Sequence, residues 1–312
     1  MIVGDGNCKV TLALQGVSGI LVTPFDSGDR IVPDRLGPII DRAVAAGVGA
    51  LVANGNTSEF YALTAAEAEA LVRASASMVR GRVPLIGGVG RGIHDALQLA
   101  RASRQAGAAA LMIHQPPDPF VAPRGLVDYV ARLVDEAHDL PVILYLRDDG
   151  IGTDMIARLC ALPNIIGVKW ACPTPLRLAE AIAACDPRLT WSGGLAETWA
   201  PAFYAVGARG FTSGLINVWP EMSVAICSAL ENGDYAAARA LIKHIAIFEA
   251  LRAQERNGAN VSVVKAALQL LGEDCGAARP PAAWPLSDEA IETLRHFVSR
   301  ISVKPAMALA EG

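Results

Sequence analysis

The sequence predicts an α/β fold built from eight strand–helix units and followed by a helical tail. Eight short apolar runs recur along the chain, at 19–25, 50–53, 83–88, 109–113, 141–145, 165–170, 189–192 and 210–212. Each run is nearly continuous in its apolar residues, which is typical of parallel strands buried on both faces. Eight such units form either a closed (β/α)8 barrel or a doubly wound open sheet, and periodicity alone does not choose between them.

The stretches between these runs have helical signals. Helices are predicted at 33–46, 64–79, 93–106, 124–139, 154–162, 175–185 and 196–206. Thr64 and Glu67 have the spacing of a capping box, which satisfies the first free amides of a helix. Three of the helices are followed by glycine, the residue that best tolerates a left-handed helix end: Gly47, Gly107 and Gly207.

The pattern becomes wholly helical after Pro220. Candidate helices lie at 221–232, 235–255, 261–271 and 287–302, and a proline-rich linker covers 278–286. We therefore predict two units, a catalytic strand–helix domain at 1–219 and a C-terminal helical extension at 220–312 that packs on it.

Composition excludes several classes of partner. The formal net charge is −4 and no dense Lys/Arg block occurs, which argues against nucleic acid and against an anionic membrane surface. No uncharged apolar run reaches the roughly 18 residues of a membrane-spanning helix. The N-terminus has no signal-peptide pattern, so we expect a cytoplasmic protein. The six cysteines are scattered without metal-ligand spacing, and we expect reduced thiols and no metal.

Lys169 is the most unusual of the five lysines because it lies inside the apolar run 165–170. An unpaired ammonium on a buried strand costs several kcal/mol. Burial lowers the pKa of a lysine, and its neutral amine attacks a ketone to form an imine. The alternative is a lysine that extends past the strand end to solvent or pairs with a core carboxylate.

Polar residues follow several predicted strands at the same end. Tyr145 closes the run 141–145, where its phenol could move protons near the imine, or lie at the rim with its hydroxyl in water. Small residues at 55–59 allow amides and hydroxyls to converge on a carboxylate, although such a loop is also an ordinary turn. The candidate substrate-binding residues are Asn56, Thr57 and Ser58 in this loop and Ser192, Ser213 and Asn217 after the last two strands.

Two further features of the sequence bear on cofactor and acid–base chemistry. The segment 88–92 has the spacing GxGxG rather than GxGxxG, so no bound dinucleotide is expected. His114 and Asp118 could form a metal or acid–base pair, but a proline-rich loop that needs polar caps explains them equally well.

In this order, these residues resemble the dihydrodipicolinate synthase and N-acetylneuraminate lyase superfamily of class I aldolases. The resemblance runs from 19–25 to the C-terminal helices, and its most specific elements are the 55–59 loop, at the place of a GTTGE-like motif, Tyr145, and the segment 166–169. It implies a (β/α)8 TIM barrel with a C-terminal helical extension, usually a homotetramer.

The resemblance also implies roles for individual residues. Lys169 would be the Schiff-base residue and Tyr145 the proton relay, while Asn56 and Thr57 would hold the carboxylate of a bound 2-oxo acid. Neither a metal nor a cofactor is implied.

The segment after Tyr145 is nearest to one branch of the superfamily. The synthases have an NVP-like segment there, whereas this chain has Leu146, Arg147 and Asp148. A Tyr-x-Arg-Asp sequence resembles the dehydratases that act on 5-dehydro-4-deoxyglucarate, although that branch has Asn in place of Leu146. Arg147 would bind a distal carboxylate, or else pair with its own Asp neighbours at the surface.

We therefore predict a Schiff-base-forming lyase for a small 2-oxo acid, possibly a keto-deoxy sugar acid such as 5-dehydro-4-deoxyglucarate. The alternative within the superfamily is dihydrodipicolinate synthase, which condenses pyruvate with aspartate semialdehyde. A rival from another class is a non-catalytic barrel that only binds 2-oxo acids.

Overall fold

The computed structural model describes residues 5–302, in which eight parallel strands form a closed barrel. The strands pair in chain order, and β8 pairs with β1 to close the ring. They are β1 (Val17–Ile20), β2 (Ala50–Ala53), β3 (Leu85–Val89), β4 (Ala110–His114), β5 (Val142–Leu146), β6 (Ile165–Trp170), β7 (Thr190–Gly193) and β8 (Phe211–Ser213). The predicted (β/α)8 barrel is confirmed, and the doubly wound sheet is excluded.

Helices surround the barrel and form the tail. They are α1 (Asp5–Leu14), α2 (Gly37–Ala45), α3 (Ala65–Val79), α4 (Ile93–Gln105), α5 (Pro123–Ala137), α6 (Thr153–Cys160), α7 (Pro175–Ala184), α8 (Ala196–Ala205), α9 (Pro220–Glu231), α10 (Tyr235–Arg252), α11 (Gln254–Asn257), α12 (Asn260–Leu270) and α13 (Asp288–Ser302). The predicted capping box is present at α3, where the Thr64 hydroxyl accepts from the Glu67 amide and Glu67 accepts from the Thr64 amide.

The first strand is shorter than its predicted range of 19–25. It ends at Ile20, after which the Val22 amide donates to the Asn217 side-chain oxygen at 3.1 Å. The Phe25 amide then donates to the Cys275 carbonyl at 2.9 Å. The apolar residues after Ile20 are therefore buried between the barrel and the C-terminal segment, which is why they resemble a strand in sequence.

Helix α1 was not predicted, and it closes the N-terminal end of the barrel. Its Val10 and Leu14 are 1% and 3% exposed and pack with apolar side chains of the barrel interior, including Met112 and Ile143. Its neighbours are β1, β2, β6 and β7. The other end, where the strands finish, is the end at which TIM-barrel active sites lie.

The tail forms a helical layer against this barrel. Helix α10 packs against α8, α9, α12 and α13, and Phe248 of α10 stacks on Phe297 of α13 with ring centroids 5.0 Å apart. Helix α9 contacts α2 and α8 as well as α10. The predicted boundary between the catalytic domain and the helical extension, at residues 219 and 220, stays a prediction.

None of the helices within residues 5–302 is both long enough and apolar enough to cross a membrane.

Candidate active site

Lys169 lies near the C-terminal end of β6, inside the barrel. It is 4% exposed, and its Nζ is 3.9 Å from the centroid of the Tyr145 ring. Strand register places Tyr145 and Ser192 directly beside it on β5 and β7. In the part of the chain that the structure describes, no carboxylate forms an ion pair with Lys169. The two alternatives, extension to solvent and pairing with a core carboxylate, do not apply.

The environment of Lys169 favours its neutral form. Burial, reinforced by the positive charge of Arg147, lowers the pKa of Lys169 from 10.5 to about 7. A large fraction of the side chain is then a free amine at neutral pH, and a free amine is the nucleophile that imine formation requires.

This shift predicts how the reactivity of Lys169 depends on pH. The neutral fraction increases with pH, so the rate of acetylation should rise about tenfold per pH unit below about 7 and level off above it. Competitive labelling with trace acetic anhydride, read peptide by peptide in a mass spectrometer, measures this profile. Exposed Lys243 is the reference in the same digest. A Lys169 profile that still rises at about pH 10 would contradict the lowered pKa.

Tyr145 is buried beside Lys169, and its hydroxyl faces the 55–59 loop. It is 2% exposed, and its oxygen accepts a hydrogen bond from Asn56 Nδ2 at 2.7 Å. Burial raises the pKa of Tyr145 above its ordinary value. The phenol is therefore protonated at neutral pH, and since Asn56 donates to its oxygen, its own proton remains available to a bound reactant.

Arg147 follows β5 and turns inward over the aromatic rings near the site. Its Nη2 donates to the Tyr61 hydroxyl at 3.2 Å and to the Gln115 carbonyl at 3.0 Å. Its guanidinium carbon lies 5.6 Å from the Tyr145 ring centroid. The neighbouring Asp149 instead accepts from the Thr174 hydroxyl at 2.7 Å. The surface pairing of Arg147 with its own Asp neighbours is therefore absent from the structure.

His114 and Asp118 do not form a pair. His114 is fully buried under Tyr145, and its Nε2 lies 3.0 Å from the Asn54 carbonyl, to which it donates. Burial and the nearby Lys169 lower the pKa of His114 well below its ordinary value. Asp118 is exposed and accepts from the Phe120 amide at 2.8 Å. The histidine is a neutral packing residue, and the aspartate caps the proline-rich loop.

Some residues of the 55–59 loop line the cavity, and others hold the loop in place. Asn56 and Thr57 line the cavity above Lys169. Ser58 is fully buried outside it, where its hydroxyl donates to the Leu21 carbonyl and accepts from the Gly55 amide at 3.0 Å. Ser58 therefore holds the loop to the end of β1 and does not line the cavity, so that its binding of substrate stays a prediction.

Two of the three polar residues predicted after β7 and β8 also have structural roles. Asn217 donates to the Ile20 carbonyl at 2.8 Å, and the Ser213 hydroxyl lies 3.1 Å from that of Ser223. Both residues are fully buried outside the cavity, and their binding of substrate stays a prediction. Ser192 lies beside Lys169 on β7, and the two residues line a small void inside the barrel; Ser192 does not line the cavity itself.

The C-terminal extension contributes cavity residues that sequence reasoning missed. Arg252 at the end of α10 is 7% exposed, and its Nη1 donates to Glu249 Oε1 at 2.6 Å while its Nε donates to Asn260 Oδ1 at 2.9 Å. Behind this group, burial and then the charge of Glu249 raise the pKa of Glu197 to about 7. These residues lie far from Lys169 in sequence, and no local motif marks them.

A buried ion pair connects the 55–59 loop to the extension. Lys265 Nζ is 2.6 Å from Glu59 Oε1, and both side chains are almost completely buried. Glu59 Oε2 accepts from the Arg279 amide at 2.7 Å, and Lys265 donates to the Ala277 carbonyl at 2.9 Å. The tail thus fixes the end of the loop that presents Asn56 to the site.

These groups surround a cavity of about 300 Å³ that opens at the C-terminal end of the barrel. Its floor is Lys169, and its walls include Asn56, Thr57, Tyr145, Arg147 and Arg252. An amine and two guanidiniums in one cleft favour an anionic ligand. The arrangement can bind a small acid, attack its keto carbon and move a proton beside it.

Comparisons with known proteins agree on one family. Residues 13–301 match the model of the dihydrodipicolinate synthetase family. A probable 5-dehydro-4-deoxyglucarate dehydratase from Rhizobium rhizogenes is 32% identical over 91% of this chain and 94% of its own length. A protein from Bradyrhizobium sp. with the same probable name is 30% identical over 95% of both chains.

Solved structures with a similar fold come from the same family. The crystal structure of dihydrodipicolinate synthase from Bacillus clausii superposes with a TM-score of 0.89 at 35% identity, covering 94% of this chain and all of that one. That from Oceanobacillus iheyensis gives 0.89 at 34% identity, covering 96% of this chain and 100% of that one. The chain therefore belongs to the dihydrodipicolinate synthetase family and is a lyase of the class I aldolase type.

Proposed function

We propose that Lys169 forms an imine with the keto group of a 2-oxo sugar diacid, such as 5-dehydro-4-deoxyglucarate, and that the protein dehydrates it. The observation that carries this proposal is the buried Lys169 amine, with its pKa lowered to about 7, in contact with the Tyr145 ring. A protein that only binds 2-oxo acids needs neither a free amine nor a phenol beside it. An enzyme of this chemistry needs both.

The imine acts as the electron sink of the reaction. The amine attacks the keto carbon, water leaves, and the resulting iminium withdraws electrons from the adjacent carbon. Loss of a proton from that carbon gives an enamine, which expels the hydroxyl of the next carbon as water once an acid protonates it. The Tyr145 phenol is placed to move these protons, and Asn56 and Thr57 hold the carboxylate beside the keto carbon. Hydrolysis of the imine restores Lys169.

The choice of a diacid rests on Arg147 and on the names of the relatives. Arg147 lies on the cavity wall beside Tyr145, where its fork can bind a second carboxylate. Similar proteins bear the probable name 5-dehydro-4-deoxyglucarate dehydratase. The homotetramer and the cytoplasmic location expected from the family resemblance belong to the same proposal.

One observation favours a second candidate function. The solved structures from Bacillus clausii and Oceanobacillus iheyensis are named dihydrodipicolinate synthases. Turnover assays with 5-dehydro-4-deoxyglucarate, and with pyruvate plus aspartate semialdehyde, separate the two. We expect consumption of the sugar diacid and no condensation. Rapid condensation without consumption of the diacid would replace our proposal with the synthase.

Arg147→Met should raise KM for the diacid by about 10- to 100-fold because one charge-assisted contact of about 1.5 to 3 kcal/mol is lost. Reductive trapping of pyruvate, which has no distal carboxylate, should be unchanged at about pH 9, where loss of the Arg147 charge no longer affects the protonation of Lys169. Exposed Arg124→Met is the matched control. An unchanged KM for the diacid in Arg147→Met would remove this residue from substrate recognition.

A further inference from the structure

We infer that Arg252, supplied by the helical extension, binds the carboxylate next to the keto carbon together with Thr57. This inference rests on the proposed function, which places that carboxylate on Asn56 and Thr57. It assigns the two guanidiniums to opposite ends of the substrate, with Arg252 at the keto-acid end and Arg147 at the distal end.

The first step is the state of the Arg252 side chain. Two of its three nitrogens are occupied, because Nη1 donates to Glu249 at 2.6 Å and Nε donates to Asn260 at 2.9 Å. These partners fix the plane of a guanidinium that is only 7% exposed. The remaining Nη2 belongs to a residue that lines the cavity, so its donors are held in one direction.

The second step is where Nη2 lies. A Cβ built on Gly214, in the turn after β8, would be 2.8 Å from Arg252 Nη2 and 3.0 Å from the Thr57 hydroxyl. The two polar groups therefore lie close together beside Gly214. Thr57 adjoins Asn56, whose amide contacts the Tyr145 hydroxyl at 2.7 Å. A carboxylate bound by both groups would lie on the cavity side of Gly214, in the cavity that Lys169 also lines.

The third step separates Arg252 from Arg147. Arg147 lies near the rings of Tyr61 and Tyr145, whereas Arg252 is held by Glu249 and Asn260 of the helical extension. The guanidiniums occupy different walls of the cavity. Glu249 partly offsets the charge of Arg252, so recognition there depends on hydrogen-bond geometry as well as on charge.

Gly214 offers a test that leaves the Arg252 charge in place. Its φ of −91° and ψ of −19° are open to alanine, so Gly214→Ala adds a methyl group without backbone strain. That methyl group must displace Arg252 Nη2 or the Thr57 hydroxyl. Arg252→Met removes the guanidinium itself but leaves Glu249 without its partner, so its folding must be checked by circular dichroism and thermal melting.

The experiment measures the pyruvate concentration that gives half-maximal borohydride trapping at Lys169. We expect an increase of about 10- to 100-fold in Gly214→Ala and in Arg252→Met, and no change in Arg239→Met, an exposed arginine on the same helix. Arg147→Met should also leave this value unchanged at about pH 9. If Arg252→Met does not fold, Arg252→Lys replaces it, because it keeps a charge beside Glu249 but loses the guanidinium fork, and the same increase is expected.

Two outcomes would overturn the inference. Unchanged pyruvate trapping with a raised KM for the diacid would place Arg252 at the distal end, and no change for either compound would make it a structural residue. If the wild type traps neither pyruvate nor the diacid, the proposed function fails instead. Calorimetric titration of pyruvate into the wild type and into Gly214→Ala then decides whether Thr57 and Arg252 bind a carboxylate. Equal affinities of the two proteins for pyruvate would reject the inference.

Discussion

Lys169→Ala should lower kcat for the diacid by about 10⁴-fold or more, because no other lysine among the described residues lines the cavity. The truncation removes an amine that is buried without an ion-pair partner among the described residues, so it should not destabilise the barrel. Steady-state turnover measures the loss of activity, and thermal melting confirms the fold.

The matched control is Lys243→Ala, which removes an exposed lysine on α10. Its kcat should equal that of the wild type. Turnover by a folded Lys169→Ala variant within about tenfold of the wild-type rate would mean that the chemistry does not pass through an imine at this residue.

Lys265→Met should lower the free energy of unfolding by about 3 to 5 kcal/mol, the cost of leaving one member of a buried ion pair without its partner. The uncompensated group is Glu59, whose side chain is 3% exposed and whose pKa burial already raises. Denaturant unfolding at neutral pH measures the change.

A double variant separates lost charge pairing from lost packing. Glu59→Gln with Lys265→Met removes both charges and keeps an oxygen that can accept from the Arg279 amide. Most of the stability should return, because pairs of this kind are often replaced by neutral groups at little cost. A Lys265→Met variant that loses less than about 1 kcal/mol would show that the pair does not hold the loop.

The strand–helix order and the identity of the central lysine could be predicted from the sequence because both are local. Buried parallel strands leave continuous apolar runs, and a lysine within one of them stands out. Helix α1 was missed because only a few of its residues, such as Val10 and Leu14, enter the barrel floor, and their partners come from distant strands. Its role is defined by packing rather than by its own pattern.

The remaining site residues depend on which way a side chain points after a strand ends. Ser58, Ser213 and Asn217 have suitable chemistry and lie near strand ends, yet their polar atoms bind scaffold groups. Arg252 was not predicted because the fold of the tail brings it over the barrel. Tyr145 and Arg147 were found because a strand end and its next residues have nearly fixed directions in a barrel.

Reductive trapping of pyruvate tests the central claim most directly. The protein is incubated with pyruvate and sodium borohydride, digested, and mapped by mass spectrometry. We predict one reduced pyruvate adduct on the peptide that contains Lys169, and no adduct in Lys169→Ala. An unmodified wild-type protein after treatment with pyruvate and with 5-dehydro-4-deoxyglucarate, or an adduct on another lysine that persists in Lys169→Ala, would contradict the proposed imine chemistry.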